Sequence, residues 1–183
     1  LVNAVKKPIS LKMRIGVTEE NNSLFLDIAK IAEQEGIGMM TLHPRTVSQG
    51  YSGHADWDMI KKLKQNVSVP VVGNGDITSP EIAKKVLDYT ECDYLMIGRG
   101  AMGNPFIFEQ INDYLESGVY KKYTLTDRLE AFVTYLELTE KYNIRFANIK
   151  QQAIRFTKGT VGGAQLRNRL SAATNTDELK ELL

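Results

Sequence analysis

The sequence repeats one pattern four times, in which a short apolar run that predicts a strand is followed by a segment with helical spacing. We predict strands at 9–15, 39–42, 69–72 and 94–97, with helices at 22–34, at about 57–64 and from Pro80. Short connections between alternating strands and helices predict a parallel sheet with right-handed crossovers. Four such units are half of a (β/α)8 TIM barrel, because a whole barrel takes ~250 residues. A doubly wound sheet is the alternative.

Helical spacing also predicts which side chains pack inward. The predicted apolar faces are Leu24, Ile28 and Ile31 in the first helix, and Ile82, Val86 and Leu87 in the third. Asp56 is predicted to cap the second helix, and Ser79 or Thr78 the third, with Pro80 in its first turn.

The pattern changes after Asn104 and Pro105, where no further strand is evident. Helical spacing continues at 106–116, 125–142 and about 144–157. We therefore predict a half barrel at 1–108 and an all-helical domain at 109–183. In its third helix, the predicted apolar stripe is Phe146, Ile149, Ala153 and Phe156, and the adjacent polar stripe is Arg145, Asn148, Gln152 and Arg155.

Every predicted strand ends in a polar cluster, which favours the half barrel over the doubly wound sheet. The last two clusters are glycine-rich, at 73–76 and 98–100. Glycines leave backbone N–H groups uncovered, and Arg99 adds a planar cation with several donors. The last strands of a barrel often form a phosphate site. The sequence therefore predicts phosphate binding at this edge.

The charge is uneven along the chain, although the net charge is only +1. Residues 141–176 contain seven Lys or Arg and no Asp or Glu. Such a region is typical of a surface that meets a polyanion, and a solvated helical face is the alternative.

Cys92 is the single cysteine of the chain, so an internal disulfide is excluded. This agrees with a reducing compartment. The apolar runs are far shorter than the roughly 20 residues that cross a bilayer. We therefore predict a cytoplasmic protein. His43 and His54 form no recognisable metal motif, and no metal site is predicted.

Ordered motifs carry a resemblance to a known family. They are Ser-Leu-Lys-Met-Arg-Ile-Gly at 10–16, Leu-His-Pro-Arg-Thr at 42–46, Tyr-Ser-Gly-His-Ala-Asp-Trp at 51–57, Asn-Gly-Asp-Ile at 74–77, and Met-Ile-Gly-Arg-Gly at 96–100 with Gly-Asn-Pro at 103–105. In this combination the chain resembles the flavin-dependent tRNA dihydrouridine synthases. The resemblance implies FMN as cofactor, NADPH as reductant, and reduction of a tRNA uridine to 5,6-dihydrouridine.

The resemblance also implies roles for single residues. Lys12 would lie near N1 and the C2 carbonyl of the flavin, and His43 would contact the flavin. The ribityl chain and phosphate would be held by Asn74, Gly75, Asp76, Gly98 and Arg99. Other interpretations stay open: Asp76 as a helix cap, Lys12 as a solvated lysine, and His43 as a structural histidine.

Two further arginines are assigned to the substrate. Arg45 is placed near phosphate or uridine, and Arg14 either faces the substrate or pairs with a carboxylate. His54 is interpreted as a loop residue without a role.

The resemblance extends more weakly to the basic helical region and implies tRNA contacts there. Arg145 and Arg155 are the predicted contacts, and a loop with Gly159, Gly162 and Gly163 would approach phosphate. The aromatic residues Tyr142, Phe146 and Phe156 are interpreted as core.

The family's catalytic cysteine, in an Asn-x-Gly-Cys-Pro segment, has no counterpart in this chain. Cys92 precedes the last strand and is interpreted as a structural thiol. We expect a C-terminal portion that is inactive alone and self-associates through its sheet edges. The alternatives are part of another FMN- or phosphate-binding barrel enzyme and a non-catalytic RNA-binding fragment.

Overall fold

Four parallel strands form the sheet of the N-terminal part of the chain. In this computed structural model, which describes residues 2–21, 23–158 and 163–182, they are β1 (Ser10–Gly16), β2 (Met39–Thr46), β3 (Val71–Asn74) and β4 (Tyr94–Met96). Their order in the sheet is β1-β2-β3-β4, and every neighbouring pair is parallel. Right-handed crossovers that all step in one direction place every helix on the same face. This is the sheet of half a barrel, and the predicted fold class is confirmed.

Three helices cover one face of this sheet: α1 (Phe25–Gln34), α2 (Trp57–Asn66) and α3 (Pro80–Thr90). Because side chains alternate along a strand, only every second residue meets the helices. On that side, Ile15, Met40, Leu42 and Val71 form a core with Phe25, Ala29, Ile60 and Leu63. Cys92 is buried in this core, as the sequence predicts.

The inward face predicted for α1 is wrong. Leu24, Ile28 and Ile31 are 52%, 51% and 60% exposed, whereas Phe25 and Ala29 are buried. The two stripes are neighbours on the helix, and α1 turns the one that contains Phe25 and Ala29 to the sheet. In α3, Val86 is buried as predicted, together with Ala83, while Ile82 and Leu87 are partly buried.

The predicted helix starts are confirmed at α2 and α3. The Asp56 side chain accepts from the backbone N–H of Asp58, and the Ser79 side chain accepts from that of Ile82. Pro80 occupies the first turn of α3, where no intrahelical donor is needed.

The chain divides into two compact units, Leu1–Gly100 and Ala101–Leu183. The boundary that the sequence suggests, after residue 108, lies inside the first helix of the second unit. That unit contains α4 (Ile107–Ser117), α5 (Leu125–Lys141), α6 (Phe146–Phe156), α7 (Gly163–Ala172) and α8 (Thr176–Leu182). The last two helices were not predicted individually.

The core of the second unit contains the predicted stripe of α6. Ile149, Ala153 and Phe156 are buried with Phe132, and Phe146 packs against them. The interpretation of Tyr142 as a core residue is wrong, because Tyr142 follows the end of α5 and is 64% exposed. Gly159 and Gly162 lie outside the described residues, and Gly163 begins α7. Among the described helices, none is long and apolar enough to cross a membrane.

Candidate functional site

The face of the sheet opposite the helices carries the predicted site residues. Lys12 and Arg14 alternate with the core residues of β1, as His43 does on β2 and Asn74 on β3. Arg14 is directly opposite His43 in the parallel register. The strands therefore bring together side chains that are far apart in sequence, towards the carboxyl ends of the sheet.

Asp76 is the centre of the charged network at this edge. Its Oδ2 accepts from Arg45 Nη2 at 2.7 Å and from the backbone N–H of Ala55 at 2.8 Å, and its Oδ1 accepts from Arg99 Nη2 at 2.9 Å. Asp76 has a φ of 57°, in the left-handed region that Asp tolerates better than most residues. It does not cap α3, because Ser79 does.

The pKa of Asp76 follows from these contacts. Burial alone would raise it, but the hydrogen bonds from Ala55 and Arg45 and the charges of Arg45 and Arg99 outweigh burial. The pKa of this carboxyl therefore lies below its ordinary value, and the group is ionised at neutral pH.

The assignment of Arg45 to phosphate or uridine stays a prediction, although the side chain is buried. It is 1% exposed, and it donates both to Asp76 and to the carbonyl of Gly53 at 2.9 Å. Its Nε is buried without a hydrogen-bond partner among the described residues. Arg45 thus holds the loop between β2 and α2 against the turn that follows β3.

His43 is neutral in this environment. Its pKa is lowered to about 4, first by burial and then by the positive charges of Arg14, Lys12 and Arg45, although Asp76 opposes the shift. Arg45 Nη1 lies 3.5 Å from His43 Nε2. A neutral imidazole carries one donor and one acceptor nitrogen.

Lys12 and Arg14 make this face of the sheet positive. Lys12 is exposed, whereas Arg14 is partly buried and donates to the carbonyls of Thr46, at 2.7 Å, and Gly50, at 3.3 Å. No carboxylate pairs with Arg14 among the described residues, and the interpretation that it faces the substrate stays a prediction. Its two hydrogen bonds tie β1 to the loop that follows β2.

Asn74 and Gly75 shape the turn after β3. Asn74 Nδ2 donates to the carbonyl of Met96 at 2.6 Å, and Trp57 Nε1 donates to the carbonyl of Gly75 at 3.2 Å. A Cβ on Gly75 would lie 2.7 Å from the Cβ of Ala55 and 3.2 Å from His43 Cδ2, and its φ is +128°. Glycine is thus needed here for packing within the protein.

Arg99 is the accessible cation of the network. It is 47% exposed, and its guanidinium lies over the ring of Tyr51, with 4.5 Å between Cζ and the ring centroid. A Cβ on the preceding Gly98 would meet no atom of the described residues within 4 Å, which leaves this backbone open to approach. Tyr51 belongs to the motif at 51–57, but the sequence predicted no role for it. Its position in a loop that follows a strand was the available signal.

The predicted cations of the second unit are used in two ways. Lys150 Nζ donates to the carbonyls of Ser171 and Ala173 at the end of α7, and Arg167 donates to that of Thr157 at the end of α6. Cations commonly stabilise helix C-termini in this way. Arg145 is exposed, as are Lys141, Lys158 and Arg169.

Arg155, the other predicted tRNA contact, is partly buried. Its backbone packs closely on Gly103, where a Cβ would lie 2.5 Å from the Arg155 carbonyl. His54 is exposed in the loop before α2, as its interpretation implied.

The fold and the site together define a class, the β/α-barrel proteins with a cationic cluster at the carboxyl ends of their strands. The family model for dihydrouridine synthase (Dus) matches residues 1–183. The chain belongs to the dihydrouridine synthase family, and the predicted membership is confirmed.

Curated relatives agree with this assignment. The chain is 53% identical to tRNA-dihydrouridine synthase B of Shewanella oneidensis over 118 residues, which cover 64% of this chain and 36% of that protein. It is 52% identical to the enzyme of Vibrio vulnificus over the same length and shares. Identity to that of Pasteurella multocida is 41% over 151 residues, or 82% of this chain and 42% of that protein. The chain thus spans less than half of these relatives.

Among solved structures, the chain is similar to (S)-3-O-geranylgeranylglyceryl phosphate synthase from Thermoplasma acidophilum, with 20% identity and a TM-score of 0.43 over 63% of this chain and 51% of that one. This likeness is too low to bear on function.

Proposed function

We propose that the chain is the C-terminal part of a tRNA dihydrouridine synthase and that its sheet holds the phosphate end of FMN. The observation that carries the proposal is the half-exposed Arg99 on Asp76, directly after Gly98 at the carboxyl end of β4. A guanidinium with free N–H donors beside an uncovered backbone suits the oxygens of a phosphate monoester.

The charges at this edge fit an anion. Two arginines share one carboxylate, because both Arg45 and Arg99 donate to Asp76. The three groups together keep one positive charge. Lys12 and Arg14 add to it on the same face of the sheet, while His43 stays neutral. A phosphate would therefore enter a positive field whose main donor is already held near Asp76.

The flavin ring is proposed to lie towards Lys12 and His43. The exposed ammonium of Lys12 would donate to the electron-rich edge of the ring, and the ring N–H of neutral His43 would supply a second donor. When bound, FMN would supply the hydride that reduces the uridine, with NADPH as the source of electrons. The residues of this chain would bind and orient the cofactor.

A tRNA substrate is proposed because the relatives are tRNA-dihydrouridine synthases. In the second unit, Arg145, Lys141, Lys158 and Arg169 are exposed and free of the helix-end roles of Lys150 and Arg167. They are the proposed contacts to the phosphate backbone, which dominates the affinity of most nucleic-acid-binding proteins. Arg155 is also proposed as a contact to the tRNA backbone, although its side chain is less accessible than the other four.

The proton donor is proposed to lie outside these 183 residues. Cys92 is the single cysteine, and it is buried in the core with its Sγ 3.4 Å from the carbonyl of Tyr94. A cytoplasmic location is also proposed. Self-association of the chain alone is proposed as well, because the strand order places β1 and β4 at the edges of the sheet.

Mass spectrometry of tRNA tests the proposed activity. The full-length protein that contains this chain, incubated with FMN, NADPH and unmodified tRNA, is expected to add two hydrogens to a uridine. The chain alone is expected to leave the tRNA unchanged. An unchanged tRNA mass with the full-length protein, in a preparation that holds FMN, would contradict the proposal.

A further inference from the structure

Tyr51 contacts the guanidinium of Arg99 from the loop between β2 and α2. The Arg99 Cζ lies 4.5 Å from the centroid of the Tyr51 ring, a distance within the range of cation–π stacking. The tyrosine is 64% exposed, so its ring does not pack in the hydrophobic core. Burial therefore does not explain why a large aromatic residue lies here.

The ion pair with Asp76 leaves the orientation of Arg99 open. Asp76 Oδ2 is already used by Arg45 and by the backbone N–H of Ala55. Arg99 reaches Oδ1 through Nη2, at 2.9 Å. A contact through one nitrogen allows the guanidinium plane to rotate, and an ion pair at this degree of exposure is weak. The contact with the Tyr51 ring supplies a second restraint on the guanidinium.

We propose that Tyr51 is a positioning residue that orients Arg99 for the phosphate of FMN. Asp76 holds one nitrogen of the guanidinium, and the Tyr51 ring adds the second restraint, so the remaining N–H donors point in fewer directions. An oriented donor loses less conformational entropy when it binds an anion. This inference rests on the proposed function, because it assigns a role at the same phosphate site.

Binding of FMN and of riboflavin, which lacks the phosphate, separates this role from a general structural one. The variants are Tyr51→Leu and Tyr51→Phe in the full-length protein, with affinities from titration calorimetry. Tyr51→Leu is expected to weaken FMN binding by about two- to fivefold, the strength of an exposed cation–π contact, and to leave riboflavin binding unchanged. Tyr51→Phe keeps the ring and is expected to bind both ligands as the wild type does.

Tyr89→Leu is the matched control. Tyr89 is also exposed and also lies near a cation, with the Lys61 Nζ 5.0 Å from its ring centroid, but it belongs to the last turn of α3. Its removal is expected to leave the ratio of FMN to riboflavin affinity unchanged.

The outcomes distinguish this inference from the proposal beneath it. Equal or tighter FMN binding by Tyr51→Leu overturns the positioning role, as does an equal loss for FMN and riboflavin. If the wild type itself binds riboflavin as tightly as FMN, the phosphate site fails and the role of Tyr51 fails with it.

Discussion

Arg45 Nη2 donates to Asp76 Oδ2 at 2.7 Å, and the guanidinium that makes this contact is 1% exposed. Removing the carboxylate would leave a buried charge without its partner, which is the costly way to break an ion pair. We expect Asp76→Ala to lower the free energy of unfolding by about 3 kcal/mol, measured by urea denaturation.

Asp88→Ala provides the comparison, because Asp88 pairs with Lys84 at 3.0 Å on the exposed side of α3. That change is expected to cost less than about 0.5 kcal/mol. Equal effects of the two substitutions would contradict the central role of Asp76.

The pKa of His43 predicts a dependence of stability on pH. The unfolded chain binds a proton at an ordinary pKa of 6.5, whereas burial and the neighbouring cations hold the folded pKa at about 4. The stabilisation is therefore complete above pH 6.5. It is lost as the pH falls from 6.5 to 4, and it falls no further below pH 4.

The glutamine of His43→Gln cannot take up a proton. The variant is therefore expected to lose about 1 to 2 kcal/mol less stability than the wild type between pH 6.5 and 4, after allowance for solvent screening. Thermal melts between pH 4 and 7 measure it, and NMR of the imidazole gives the pKa directly. His54→Gln, in the exposed loop, should not change the curve. A His43 pKa near 6.5 in the folded protein would contradict the positive environment.

Gly75 and Gly98 are expected to respond differently to alanine. At Gly75 a Cβ would lie 2.7 Å from that of Ala55, and φ is +128°, so Gly75→Ala should destabilise the fold by about 2 to 3 kcal/mol. At Gly98 a Cβ would meet nothing within 4 Å in the part of the chain that the structure describes. Gly98→Ala should leave stability within about 0.5 kcal/mol and weaken FMN binding.

Denaturation curves and FMN titration of the two variants check this difference. A stable Gly75→Ala variant would show that the turn after β3 has room for a methyl group beside Ala55. Unchanged FMN affinity in Gly98→Ala would place the phosphate elsewhere.

The cations of the second unit are expected to separate into two groups. Arg145→Ala should weaken tRNA binding and reduce the slope of log affinity against log salt by about one, as expected for one lost phosphate contact. Lys150→Ala should instead lower stability by about 1 kcal/mol, because its ammonium holds two carbonyls at the end of α7.

Filter binding of tRNA across salt concentrations measures the first effect, and thermal melts measure the second. Neither variant should change the affinity for FMN. An unchanged salt slope in Arg145→Ala would remove this residue from the interface.

The sequence predicted the strands, the caps of α2 and α3, and the polar ends of the strands, because each depends on local spacing. It did not predict the face of α1, where Leu24, Ile28 and Ile31 compete with the neighbouring stripe of Phe25 and Ala29. Both stripes satisfy helical spacing, and only packing against β1 and α2 decides between them.

The charged network was predicted in its members but not in its connections. Arg45 and Asp76 are 31 residues apart, and no local sequence pattern indicates that Arg45 is buried and pairs with Asp76. The sequence therefore assigned Arg45 to the substrate and Asp76 to a cap or a hydroxyl contact. The role of Tyr51 was missed for the same reason, since its partner Arg99 follows a different strand.

The most direct test of the account compares FMN with riboflavin in the wild-type full-length protein and in Arg99→Ala, by titration calorimetry. The wild type is expected to prefer FMN. Arg99→Ala should lose about ten- to a hundredfold in FMN affinity, as for a charged hydrogen bond to phosphate, and should bind riboflavin unchanged. If Arg99→Ala keeps its full preference for FMN, the phosphate does not bind at the carboxyl end of β4, and the account is wrong.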